Sequence, residues 1–130
     1  MIKALKVTMI IFGVVEICFG LGFLFFMPAM GAKLGFEQGP AYIQYVGAML
    51  GLTLIPISIF IIAAARDPLK HLSWVKFAIW WEVLGVIAGL YSVIMGYVNF
   101  SQAGMGTIWD AVVAAALLIF YPWRAAKQSG

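Results

Sequence analysis

The sequence predicts an all-α integral membrane protein, a single four-helix bundle of up-down-up-down topology with both termini cytoplasmic. Three observations predict it. Of 130 residues, 65% are apolar and only 10% are charged, where an average soluble domain carries about 25% charged residues; the mean hydropathy is +1.05. Four apolar stretches are each long enough to cross about 30 Å of hydrocarbon, which takes about 20 helical residues. The basic residues gather at the ends of those stretches and not in one patch. This composition excludes disorder, a coiled coil and a disulfide scaffold, and it leaves too little polar surface to cover a soluble globule. Residues 1–130 therefore read as one transmembrane domain.

The first helix is predicted over roughly residues 6–27, with Pro28 as its stop. Lys3 and Lys6 ahead of an apolar run resemble a signal peptide. The run is longer than an h-region of about 7–15 residues, contains Glu16 and lacks an A-x-A cleavage site, so it reads as a retained span. The second helix is predicted over roughly residues 40–65. Gly39 and Pro40 open it, because proline suits the first helical turn, and Arg66-Asp67-Pro68 closes it. Pro56 inside it removes a hydrogen bond near Leu52 and predicts a bend. The third helix is predicted over roughly residues 73–98, capped by Asp67 or Ser73. The fourth is the shortest, over roughly residues 108–123. Thr107-Ile108-Trp109-Asp110 reads as a T-x-x-D capping box at its start, in which Asp110 satisfies free N–H groups near the headgroups.

The loops are short, which favours antiparallel neighbours and hence the up-down order. Residues 28–39 carry three glycines, Gly31, Gly35 and Gly39, and read as a turn-rich connector with one interfacial turn around residues 30–36. Residues 99–106 read as a polar, uncharged loop.

Orientation follows from the basic residues. With both termini on one side, that side holds Lys3, Lys6, Arg66, Lys70, Lys76, Arg124 and Lys127, and the other holds Lys33 alone. This asymmetry places the termini in the cytoplasm and the chain in the cell membrane. Trp74 and Trp123 fall at the cytoplasmic boundary and Trp109 near the outer one, positions that suit indole rings at headgroup level. The net charge of +3 does not point to nucleic acid, because topology accounts for the cations.

Helices in a bilayer associate by close packing, since lipid tails are as apolar as leucine. Small residues mark the faces expected to pack: Gly13 and Gly20 beside Glu16 in the first helix; Gly47 and Gly51 beside Gln44 and Ser58 in the second; Gly85 and Gly89 beside Ala78 and Glu82 in the third; Ala111, Ala114 and Ala115 in the fourth. The segments Val15-Glu16-Ile17 and Trp81-Glu82-Val83, each followed by glycines, form a faint internal echo on two odd-numbered spans.

Glu16 and Glu82 are the candidate functional residues. Counted from Lys6 and Ser73 they lie about 15 Å and about 13 Å deep at about 1.5 Å per residue. A charge at that depth costs at least about 2.5–3.5 kcal/mol, and no lysine or arginine within the spans lies near enough to neutralise it. The two acids are therefore expected neutral, or held by a bound cation or by a positive partner from another molecule. Both share a face with small residues and should point at protein. They are expected to donate hydrogen bonds across helices, to Gln44, Ser58, each other or a carbonyl, or else to form a proton, cation or ligand site.

No catalytic residue and no metal site is predicted. The chain has one cysteine, Cys18, and one histidine, His71; the first reads as a small buried apolar residue and the second as a solvated loop residue. There is no GxSxG, Walker loop, HExxH or CxxC, so an autonomous hydrolase or redox enzyme is not expected. No cofactor is predicted, although the tryptophans and tyrosines would suit a pocket for a quinone or another lipophilic ligand.

Several segments carry a resemblance. The Met27-Pro28 stop, the glycine-rich loop through Gly35, the opening Tyr45-Val46-Gly47-Ala48-Met49-Leu50-Gly51, and the Ala65-Arg66-Asp67-Pro68 turn before Trp74 resemble the DoxX-like superfamily of small four-helix membrane proteins, over roughly residues 10–95. Where the family usually has a basic residue before the Gly-Ala step, this chain has Gln44-Tyr45-Val46. Some members resemble accessory subunits of quinone-linked membrane oxidoreductases, so the resemblance implies a subunit role. The sequence thus favours a non-catalytic subunit or oligomeric packing module. It would lie in a lipid bilayer against a membrane protein partner or a second copy of itself. The alternative is a proton-coupled transporter or apolar-ligand-binding bundle using Glu16 and Glu82.

Overall fold

The computed structural model describes residues 1–37, 39 and 41–124. The predicted opening at Pro40 and the basic residue Lys127 lie outside the described residues. The described chain is all-helical: α1 (Ile2–Phe25), α2 (Met27–Lys33), α3 (Ala41–Ala64), α4 (Leu72–Ile94) and α5 (Phe100–Phe120). Four of these, over Ile2–Phe25, Ile43–Ala64, Leu72–Ile94 and Phe100–Phe120, are long and apolar enough to cross a membrane. At about 1.5 Å per residue they reach roughly 32–36 Å, which matches a hydrocarbon core of about 30 Å. The molecule has the build of a multi-pass membrane protein. Leu52, Phe60, Trp80, Ile94 and Ile119 are exposed on its flanks, where hydrocarbon solvates them.

The helix ends differ from expectation most in the second half. The fourth span begins at Phe100 and not near residue 108, and α4 stops at Ile94 and not near residue 98. Two local motifs explain the shift. Gly96 takes φ +71, its N–H donates to Val93 O at 3.1 Å, and the Tyr97 N–H donates to Ser92 O at 3.0 Å. These paired bonds close α4 in a Schellman turn, which needs a left-handed residue that glycine supplies without strain. Asn99 then opens α5. Its Oδ1 accepts from the Gln102 N–H at 3.0 Å while Gln102 Oε1 accepts from the Asn99 N–H at 3.0 Å, a reciprocal capping box. The box predicted at Thr107 and Asp110 is therefore not a helix start. Thr107 Oγ1 donates within α5 to Ala103 O at 2.9 Å, and Asp110 and Trp109 lie midway along the helix, away from the boundary where Trp109 was expected.

Smaller differences have similar causes. His71 is the N-cap of α4 and makes no side-chain cap bond, so neither Asp67 nor Ser73 caps it. Cys18 is exposed and not buried, because it falls on the flank of α1 opposite Gly13, Glu16 and Gly20. Pro56 lies inside α3, which runs through it as one helix.

Packing is uneven around the bundle. The closest pairings are α1 with α3 and α4 with α5; α1 meets α5 less, and α3 meets α4 more lightly still. Backbones meet where glycines face each other. A Cβ on Gly20 would stand 2.9 Å from Gly51 O, and one on Gly51 would collide with Gly20 O and approach Leu24 N to 3.0 Å. A Cβ on Gly13 would lie 3.1 Å from Ser58 O, and one on Gly47 3.1 Å from Met27.

The dry core fills one half of the bundle. Leu5, Met9 and Phe12 pack with Ile61, Val75, Ala78, Val113 and Leu117, near the start of α1 and the α3–α4 turn. Lys6 Nζ donates to Arg66 O at 2.8 Å across that end. At the opposite end Gln102 Nε2 donates to Gly35 O at 3.1 Å, joining the start of α5 to the connector after α2.

Glycine substitutions should separate packing from propensity. Gly51→Val forces α1 away from α3 and should destabilise the fold by about 1–3 kcal/mol, as overpacking does. Gly106 has nothing near its missing Cβ, so Gly106→Ala should stabilise α5 by up to about 1 kcal/mol. Thermal unfolding in mild detergent reads both, and the two should move in opposite directions.

Candidate functional site

Three acids meet where the dry core ends. Glu16 comes from the middle of α1, Glu82 from the middle of α4 and Asp110 from the middle of α5. Glu82 is 1% exposed and Glu16 7%, so both are buried within the bundle. All three carboxyls lie within electrostatic reach of one another. The sequence singled out the two glutamates. It missed Asp110 as their companion, because the polar run before it reads as a loop.

Local folding places each acid. Glu16 is three residues past Gly13 and four before Gly20, so it shares the face on which α1 meets α3. It turns to α5 as well: the Trp109 indole N–H donates to Glu16 Oε1 at 3.3 Å. Asp110 packs on Gly85, in the space a Cβ there would need, and Thr107 occupies the same space at Gly89. The glycine pair of α4 is thus a seat for the polar face of α5. Glu82 lies three residues before Gly85 on that face. Its Oε2 is buried and has no hydrogen-bond partner.

The polar neighbours expected for the glutamates are otherwise occupied. Ser58 is buried, but its Oγ donates to Leu54 O of its own helix at 2.7 Å. Gln44 is exposed and lines a different hollow of about 230 Å³, formed with Met27, Pro28, Phe36 and Ile43. Glu16 and Glu82 share no hydrogen bond with each other among the described residues. Nor does any cation pair with them: the ion pair found among those residues is Lys70 with Asp67, at 3.4 Å on the surface.

A cleft of about 240 Å³ leads to this cluster. Leu50 and Leu54 of α3 form one wall and Trp81 of α4 the other, while Glu16, Trp109 and Asp110 line it from α1 and α5. It takes its lining from all four long helices, of which α3 and α4 meet only lightly. Those two helices are bound together beside their shared turn, where the Phe60 and Trp74 rings stack with centroids 5.3 Å apart. The lining of the cleft is mostly apolar, with Glu16 and Asp110 as its charged residues. Among the described residues no group of three His, Cys, Asp or Glu side chains is arranged to hold a metal ion. The chemistry available is hydrogen bonding, proton exchange and charge pairing in an aromatic cleft.

No family model, curated protein or solved structure matches this chain. The functional reading rests on the geometry of the cluster itself.

Two substitutions probe the cluster as structure. Trp109→Phe keeps the ring but removes the donor to Glu16, and leaving that oxygen unpaired should cost about 1–3 kcal/mol; Trp80→Phe, on the exposed flank, should cost less than about 0.5 kcal/mol. Glu82→Met removes a polar atom that has no partner, so it should leave stability unchanged or raise it. Unfolding temperatures in the same detergent check all three.

Proposed function

We propose that the protein is a multi-pass membrane protein that takes up a lipophilic small molecule from the bilayer and holds it at Glu16, Asp110 and Glu82. One observation carries this reading: a cleft among the four long helices has carboxyl groups lining it, and the neighbouring acid Glu82 has an oxygen left unpartnered. Buried acids that served packing alone would be satisfied within the fold. An unsatisfied carboxyl next to an accessible cleft is instead a group with spare binding capacity. Proton coupling belongs to the same reading, because a carboxyl at this depth changes charge only when something compensates it.

The proposed topology is up-down-up-down with cytoplasmic termini. The distribution of basic residues supports it. The Lys6–Arg66 and Gln102–Gly35 bonds support it too, since they bring together ends that this order would place on the same side. Reporter fusions should place residues 1 and 130 on the cytoplasmic side, and a cysteine introduced at Lys33 should react with an impermeant thiol reagent from outside.

A second reading is a non-catalytic subunit or homo-oligomer within a larger membrane complex, as the resemblance to the DoxX-like superfamily implies. The shortness of the connections between spans supports it. A complex of fixed stoichiometry recovered in mild detergent is its expected signature.

The test of the first reading is chemical. Dicyclohexylcarbodiimide partitions into hydrocarbon and attacks protonated carboxyls; a water-soluble carbodiimide does not reach them through lipid. In membranes the first should modify Glu16 or Asp110, located by peptide mass spectrometry, and the second should spare both. Glu16→Gln should abolish modification at that position. Absence of modification at both acids, in protein that is folded and monodisperse, rejects a bilayer-accessible site.

A further inference from the structure

We infer that the ligand of this cleft is a lipophilic organic cation, bound by Glu16 and Asp110 against the ring faces of Trp81 and Trp109 in exchange for a proton. The inference rests on the site proposed above and adds the chemical class of its occupant.

The groups that face the cleft decide the class. From α1 comes Glu16, from α5 Asp110 and Trp109, and from α4 Trp81, with Glu82 close by on that helix. The sequence of α3 contains no charged side chain at all. Every ionisable group at the site is therefore an acid, and Lys, Arg and His are absent from its walls. An anionic ligand would find no cation to pair with at the two acids, Glu16 and Asp110, that line the cleft. A neutral ligand that accepts hydrogen bonds, such as a quinone carbonyl, would find the Trp109 N–H already given to Glu16 and could draw only on the Trp81 N–H or a protonated carboxyl. A cation finds the reverse. Carboxylate oxygens attract it, and tryptophan faces stabilise it through their quadrupoles, most strongly where water is excluded.

The second observation is Glu82. Its Oε2 is buried, without a partner, on the α4 face that seats Asp110. It adds unpaired acceptor capacity close behind the cleft, and this deepens the preference for positive charge. The apolar walls set the remaining property. Phe19, Phe23, Leu50 and Leu54 surround the opening, so the ligand carries aryl or alkyl groups and not a hydration shell. A bare metal ion does not suit, because no three-ligand group is arranged for one among the described residues.

The exchange balances. A neutral carboxyl releases one proton as the cation arrives, and the resulting carboxylate pairs with it. The net charge held in the hydrocarbon is unchanged, which avoids the cost of an unpaired ion at that depth. Protonation of the carboxylate reverses the step and frees the cation.

The experiment uses the full chain in phosphatidylcholine nanodiscs with radiolabelled tetraphenylphosphonium as the probe. Tetraphenylborate, of the same shape and opposite charge, is the control, and decylubiquinone is the neutral comparison. The expected result is saturable phosphonium binding above lipid partitioning, no saturable borate binding, and release of about one proton per cation into weakly buffered medium, as linkage requires. Binding should weaken as pH falls, and by about tenfold or more in Glu16→Gln and Asp110→Asn, which each lose a charged partner. If a variant fails to fold, the proton release and pH dependence of the unmodified protein carry the test alone. Equal binding of borate and phosphonium, or no proton release, overturns the inference. Saturable, Glu16-dependent binding of decylubiquinone without phosphonium binding also overturns it, while leaving a lipophilic-ligand site in place. Failure of both probes together with absent carbodiimide labelling removes the site as well.

Discussion

Contact between helix backbones is the constraint on which this structure depends. In water, α1 and α3 would be driven together by burying their leucines and isoleucines; in hydrocarbon that drive vanishes, and close fit has to supply the attraction. Gly20 and Gly51 supply it between the backbones of α1 and α3, and between α4 and α5 Gly85 and Gly89 supply it by seating the Asp110 and Thr107 side chains. The result is two tightly joined pairs, with a looser junction between them. The indole bond from Trp109 to Glu16 crosses that junction from α5 to α1. On the other side α3 and α4 meet only lightly, and the cleft is lined by all four long helices. The place of the glycines thus decides which seam stays open.

Much of this was legible in the sequence because membrane spans advertise themselves. Twenty apolar residues in a row admit few alternatives, and the helices at residues 2–25 and 41–64 follow the expected ranges closely. Legibility failed where polar residues entered a span. Asn99, Ser101, Gln102 and Thr107 look like a loop by composition, yet they form the first turns of α5 because their polar groups are satisfied within the helix. Gln102 bonds Asn99, Thr107 bonds Ala103, and Thr107 then rests on Gly89. The signal that would have found this start was the spacing Asn99-x-x-Gln102, paired with Gly96 as a helix stop three residues earlier. Both are local rules, and both outrank polarity as a guide to helix limits.

The candidate site was half legible for the same reason. Glu16 and Glu82 stand out as acids far from any span end. Asp110 does not, once the helix is started eight residues too late, because a carboxylate at a helix N-terminus has an ordinary use. Gln44 and Ser58 share a helical face with Gly47 and Gly51, which suggested partners for the glutamates. A shared face is only an angular statement, however. Gln44 lies at the far end of α3 among Met27, Phe36 and Ile43, and Ser58 turns its hydroxyl back to Leu54. Depth along the axis, which periodicity does not encode, separates Gln44 from the acids, whereas Ser58 lies close to the level of Glu16 but spends its donor on its own helix.

Moving Asp110 from a helix cap to the bundle interior changes the character of the site. Two glutamates alone could each find a neutral hydrogen bond and remain structural. Three carboxyls lie within electrostatic reach of one another, the Trp109 indole serves Glu16, and one oxygen of Glu82 is left without a bond. Ionising all three at once is prohibitive in low dielectric, so the number of protons in the cluster is tied to the number of positive charges nearby. Among the described residues no lysine, arginine or histidine lines the cleft. In the proposed function a positive charge would arrive by way of the cleft and displace a proton, and the coupling of ligand to proton would then follow from where the acids sit.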